Sequence, residues 1–173
     1  IALGEPLGEL MLDALFAAPN APTVCAQNPF GFQWFPIDFE RMGESVQTGV
    51  PTAHAVVVEY LEDVWSRTGL GAGETFLAGF SQGAMLALHT GLSIADPPLG
   101  IVSFSGALVP PRGFGAQGHA KPPVCLVHGD MDGVVNPAFT QQAAEALSAA
   151  GYDVSLHICR GMAHGIGPDG LGF

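Results

Sequence analysis

Positive charge is nearly missing from this chain. Lys and Arg together number 5 against 16 Asp and Glu, a formal net charge of −11. Nucleic acids and anionic membrane surfaces bind through basic patches, so neither is an expected partner, and the acidity itself serves solubility. Cysteine is scarce too: Cys25, Cys125 and Cys159 are odd in number, widely spaced and set in apolar runs such as Pro123-Val124-Cys125-Leu126-Val127. That excludes a disulfide framework and reads as buried thiols in a reducing, cytoplasmic compartment. No apolar run reaches transmembrane length, so no stable membrane insertion is expected. No stretch reads as a signal peptide, a low-complexity segment or an internal repeat. The chain opens at Ile1 rather than Met, which leaves room for a targeting segment ahead of it.

What is present is a core. Of 173 residues 48% are apolar and only 12% charged, as expected for one domain built on a parallel sheet covered on both faces. The first thirteen residues read as the end of a loop and a short helix. Ala14 to Ala18 reads as a strand stopped by Pro19-Asn20-Ala21-Pro22, and residues 25–49 read as irregular. Val56, Val57, Tyr60, Leu61 and Val64 recur at helical spacing, which predicts a helix from about Thr52 to Ser66, ended by the glycines from Gly69. Apolar strands follow at Thr75–Ala78, Gly100–Gly106, Val124–His128 and Tyr152–Cys159. A helix follows the first of these, another spans roughly 137–150, and a Gly- and Pro-rich loop covers 110–122. Alternating strands and helices of this length predict an α/β fold, a mostly parallel central sheet flanked by helices.

One pentapeptide stands at a strand-to-helix junction: Gly79-Phe80-Ser81-Gln82-Gly83. Such a Gly-x-Ser-x-Gly sets its serine on a sharp, strained turn, and the flanking glycines leave room for strand and helix to approach. The helix start behind it offers unpaired N–H groups to an oxyanion. A serine needs a base, and the base an orienting acid. After the strand ending at His128 come Asp130 and Asp132; after the last strand comes His164 in a glycine-rich loop. Asp132 lies 51 residues beyond Ser81 and His164 a further 32, each leaving room for a strand–helix unit. Either aspartate can serve as the acid, the other then bracing its loop. Asp130-Met131-Asp132-Gly133 lacks the remaining ligands of a calcium loop. His128 reads as a structural residue closing a buried strand, and His54, His89, His119 and His157 as helix-face, loop or strand residues. His157-Ile158-Cys159 is a weak metal signal, and neither metal nor cofactor is expected.

These segments resemble the phospholipase/carboxylesterase family of small α/β hydrolases, which includes the acyl-protein thioesterases. The likeness runs through Phe16-Ala17-Ala18-Pro19-Asn20-Ala21-Pro22, Gln33-Trp34-Phe35-Pro36, the pentapeptide, Ser105-Gly106-Ala107-Leu108-Val109-Pro110, His128-Gly129-Asp130-Met131-Asp132 and Met162-Ala163-His164. It implies Ser81 as nucleophile, Asp132 as acid, His164 as base and the N–H of Gln82 as an oxyanion donor. It also implies Trp34 and Leu108 as lining of the acyl pocket, for which core packing is the rival reading. Ala107 stands where relatives often carry a bulky aromatic, which implies a wider pocket. Relatives begin with a strand and a His-Gly-rich oxyanion loop and end in a further helix. By that likeness residues 1–173 are a single domain lacking the first strand with its loop and the end of the last helix.

The expected activity is a serine carboxylesterase working through an acyl-enzyme on a small-molecule ester; thioesters and lysophospholipid esters follow the same steps. The alternatives are acyl-protein thioesterase-type activity or a non-catalytic binding domain that keeps the fold. Dienelactone hydrolase-like chemistry uses a cysteine at the position of Ser81. Similar enzymes are commonly homodimers, though no contact face is marked in these residues.

Overall fold

The computed structural model describes residues 13–25, 28–116 and 121–173. The loop and short helix expected before Asp13, and His119, lie outside the described residues. Ala14 to Ala18 is not a strand but an exposed segment. An apolar run becomes a strand only when a neighbour takes its N–H and C=O groups, and among the described residues none lies beside it. The stretch expected to be irregular contains a hairpin, β1 (Thr23–Cys25) paired antiparallel with β2 (Asn28–Gln33). Pro29 and Gly31 lower the strand propensity of β2, while the cross-strand pair Val24–Phe32 holds it in register.

Helix α1 (Met42–Thr68) starts some ten residues earlier than its apolar periodicity indicates and carries Pro51 inside. Proline removes one helical hydrogen bond, and packing outweighs that loss. Val50 is fully buried, and Phe35 lies so flat on Gly49 that a Cβ there would come within 2.4 Å of its ring. The Thr48 and Thr52 hydroxyls add bonds to the carbonyls of Glu44 and Thr48, both at 2.9 Å. Gly69, at φ 76°, ends the helix, and its N–H reaches the Trp65 carbonyl at 2.9 Å.

Among the described residues the central sheet has four parallel strands in chain order: β3 (Phe76–Phe80), β4 (Gly100–Phe104), β5 (Val124–Gly129) and β6 (Val154–Cys159). Helix α2 (Gln82–Gly91) follows β3, α3 (Ala138–Ala149) follows β5, and a single turn, α4 (Pro168–Leu171), closes the described chain. Period-two alternation sorts the faces. Leu77, Ile101, Val124 and Leu126 form one cluster with Leu61 of α1, Leu88 of α2 and Leu147 of α3. Phe104, Val127 and Cys159 point the other way, beneath Met162, Ile166 and Leu171. Burying each large side chain of the first cluster contributes roughly 1.5–3 kcal/mol. The parallel register aligns the C-terminal strand ends, pairing Phe80 with Phe104 and Gly129 with Cys159. The loops beginning at Ser81, Ser105, Asp130 and Arg160 therefore leave the sheet along one edge, where α/β folds place their ligands.

Candidate active site

Ser81 follows β3 directly and has φ 55° and ψ −118°, a strained backbone for a residue with a Cβ. Three bonds hold it there. Its N–H donates to the Phe104 carbonyl at 2.9 Å, and its carbonyl accepts from the N–H groups of Ala84 at 3.0 Å and Met85 at 3.1 Å. The turn is so tight that a Cβ on Gly79 would stand 2.1 Å from the Gly83 carbonyl oxygen. Gly83 behaves differently from the expectation. Its own Cβ would meet only the Trp34 indole nitrogen, at 4.0 Å, so the room for helix to cross strand is made at Gly79. Gln82 is the first residue of α2, where a helix leaves its N–H groups without intrahelical acceptors.

The three polar side chains meet. His164 Nε2 lies 3.1 Å from Ser81 Oγ, and His164 Nδ1 lies 2.6 Å from Asp132 Oδ2. The imidazole is part-buried, with its ring 4.7 Å from that of Phe80. Asp132 is buried, and its other oxygen accepts from the N–H groups of Val134 at 2.8 Å and Val135 at 2.9 Å. Burial on its own would raise the Asp132 pKa. The hydrogen bonds from His164, Val135 and Val134, with the charge of His164, outweigh it and hold the carboxyl below its ordinary value.

Asp130, the other aspartate open from the residues alone, braces the loop instead: its Oδ1 accepts from the Gly161 N–H at 2.7 Å. It thereby steadies the segment that delivers His164. Loop β6–His164 also packs tightly on β5, since a Cβ on Gly129 would strike the Met162 carbonyl oxygen at 2.2 Å.

A further neighbour, placed by its residue type as structural, borders the site. His128 Nε2 lies 3.1 Å from Asp132 Oδ2 and 3.0 Å from the Val135 carbonyl, with the ring fully enclosed. Its Nδ1 bonds Thr140 Oγ1 on α3, which in turn donates to the Gly106 carbonyl at 3.1 Å. The spacing of four residues between His128 and Asp132 was the available signal. Only the turn at Gly129 converts it into contact.

Trp34 is half-buried against the cluster that includes Met85 and Val109, and its main chain is tied to Gln82, the residue after Ser81. Ala107 joins the same cluster. Leu108 packs instead against the cluster of Leu88, Ile101 and Leu147.

Among the described residues, His157, Cys159 and Asp169 bring possible metal-ligand atoms within 4.8 Å of one another. They already satisfy each other. His157 bonds Asp169 Oδ2 at 2.8 Å, and that bond holds the exposed carboxyl below its ordinary value. Burial first, then the nearby carboxylates of Asp169 and Asp130, push the Cys159 thiol up, so it stays a protonated partner of Asp169. The sequence expectation that Cys25 and Cys125 are buried is corrected: both are half-exposed, and only Cys159 is enclosed.

The sequence profile of the phospholipase/carboxylesterase family matches residues 11–173. The chain belongs to this family. It is 33% identical over 171 residues to esterase YpfH of Escherichia coli (strain K12), covering 95% of this chain and 68% of that one. It is 26% identical over 160 residues to acyl-protein thioesterase 1 homolog 1 of Dictyostelium discoideum, covering 89% and 71%. The crystal structure of esterase PE8 matches with a TM-score of 0.93 at 47% identity, over 99% of this chain and 80% of that one. A carboxylesterase from Mesorhizobium loti, at 19% identity and a TM-score of 0.78 over 98% and 78%, shares the fold. The phospholipase/carboxylesterase family consists of α/β hydrolases working through a serine, and this chain is a hydrolase of that kind.

Proposed function

We propose that Ser81, His164 and Asp132 are the catalytic residues of a carboxylic ester hydrolase acting on small molecules by acyl transfer. The observation that carries it is the continuous pair of contacts from Ser81 Oγ to His164 Nε2 and from His164 Nδ1 to Asp132 Oδ2. With Nδ1–H donating to the carboxylate, Nε2 is left unprotonated and basic. It takes the hydroxyl proton as Ser81 Oγ attacks the ester carbonyl carbon. The carbonyl oxygen, now negative, accepts from the Gln82 N–H. Collapse breaks the C–O bond, and His164 returns the proton to the departing alkoxide. Water then attacks the acyl-enzyme with His164 again as base, releasing the acid and regenerating the hydroxyl. Trp34 forms a wall of the acyl pocket, supported by its place over the first turn of α2. The enzyme works in the cytoplasm, a placement in keeping with the unbridged thiols of Cys125 and Cys159.

Hydrolysis of p-nitrophenyl acetate tests the reading. Ser81→Ala and His164→Ala should each remove about four to six orders of magnitude in kcat. Asp132→Asn should cost about 10⁴-fold, by stabilising the wrong imidazole tautomer. Equal rates in wild type and Ser81→Ala would leave a binding domain as the better reading.

A second reading is favoured by the likeness to acyl-protein thioesterase 1 homolog 1. A thioester passes through the same steps with a thiolate leaving group, so kcat/KM for matched ester and thioester substrates separates the two.

A further inference from the structure

Gln82 does two separable things. Its main chain starts α2 next to Ser81, and its side chain reaches back to the end of the β1–β2 hairpin. Oε1 accepts the Trp34 N–H at 3.0 Å, and Nε2 donates to the Phe35 carbonyl at 2.9 Å. A carboxamide carries the donor and acceptor of a peptide group, so it extends by one step the ladder that β2 gives up at Gln33. The partners fix which atom is which, since an amide N–H only donates and a carbonyl only accepts.

The tethered segment has little other freedom. Phe35 is buried in the notch at Gly49, and the Trp34 indole lies over Gly83, two residues from the nucleophile. The wall and Ser81 are thus linked through one side chain of α2, not only through the long path of α1.

We infer that the Gln82 side chain is a positioning and specificity-determining group that fixes the Trp34 wall relative to Ser81, and so sets how well a long acyl chain is held. The inference rests on the Ser81 nucleophile reading above. Methionine at position 82 keeps the length of the side chain while leaving the Trp34 N–H and the Phe35 carbonyl unpaired. The main-chain N–H at position 82 survives in every variant, so the oxyanion contact is not deleted with the clamp.

The test compares kcat/KM for p-nitrophenyl octanoate and acetate in wild type, Gln82→Met and Gln82→Glu across pH. In Gln82→Met the octanoate-to-acetate ratio should fall about tenfold, the scale on which pocket walls discriminate. In Gln82→Glu the ionised carboxylate accepts from Trp34 but faces the Phe35 carbonyl without a proton, so the ratio also falls. On acidification that carboxyl regains a donor and the ratio should return toward wild type. An effect of pH on the acyl-transfer steps common to the two substrates cancels in the ratio. A wild-type ratio in Gln82→Met, or a pH-independent ratio in Gln82→Glu, overturns the inference. Fluorophosphonate labelling of the wild type separates the two levels. If Ser81 labels while the ratios hold constant, only the clamp fails; if Ser81 does not label, the hydrolase reading fails and takes the clamp with it.

Discussion

His128 and His164 approach the same oxygen of Asp132, at 3.1 and 2.6 Å. The carboxylate accepts from three donors, His164 Nδ1 and the amides of Val134 and Val135, and the His128 ring nitrogen packed beside it further limits its rotation. His128 touches no reacting atom, so its effect reaches the chemistry through Asp132. His128→Gln should lower kcat by about ten- to a hundredfold, with KM nearly constant, and should cost roughly 1–3 kcal/mol of stability. Steady-state kinetics with a thermal melt checks both. An unaltered kcat would make His128 purely structural.

The elbow depends on one glycine more than the other. Gly79→Ala places a methyl group inside the Gly83 peptide, which forces the strand and α2 apart. It should destabilise by about 1–3 kcal/mol or more and abolish turnover. Gly83→Ala meets open space apart from the Trp34 nitrogen and should fold normally. Matched denaturant titrations decide; equal losses in the two variants would contradict the geometry.

Acid should weaken the fold in two stages. His54 on α1 bonds Thr90 and faces His89, and burial first, then the His89 charge, hold it below its ordinary 6.5. The folded protein resists a proton that the unfolded chain accepts, so stability falls as pH drops below 6.5. Asp132 acts lower. Its carboxyl sits below the ordinary 3.8, so it stabilises above that value and the contribution is lost as pH falls through the lower, folded one. Tm measured against pH should show both declines, and His54→Gln should remove the first while keeping the second. A wild-type Tm flat from about pH 7 to 5 would contradict the first stage.

Ala107 stands half-buried in the same cluster as Trp34. Ala107→Trp should fill space beside the proposed acyl wall and shift preference toward short acyl chains by about tenfold, read as relative kcat/KM on acetate and octanoate esters. No change in chain-length preference would place the acyl pocket elsewhere.

The parts of the fold legible in the residues are those set by local chemistry. The apolar runs of β3 to β6 and the glycine at 69 act within a few residues of themselves. The elbow and the order of Ser81, Asp132 and His164 were legible for the same reason, each standing just past an apolar strand. The early start of α1 was hidden because Pro51 opposes it locally, and only Phe35 on Gly49 and the burial of Val50 overrule proline. Ala14 to Ala18 differs in the opposite sense, with strand-like residues and no strand partner among the described residues. The roles of His128 and of the Gln82 side chain were also out of sight. The first depends on the turn at Gly129, the second on partners some 47 residues away.

The central claim is that Ser81 is a nucleophile made reactive by His164. Reaction with a fluorophosphonate, followed by peptide mass spectrometry, measures this without any assumption about the natural ester. The expected result is one adduct per chain on Ser81, absent in Ser81→Ala and slowed by orders of magnitude in His164→Ala. An unlabelled, folded wild type, or labelling as fast without His164 as with it, would contradict the claim.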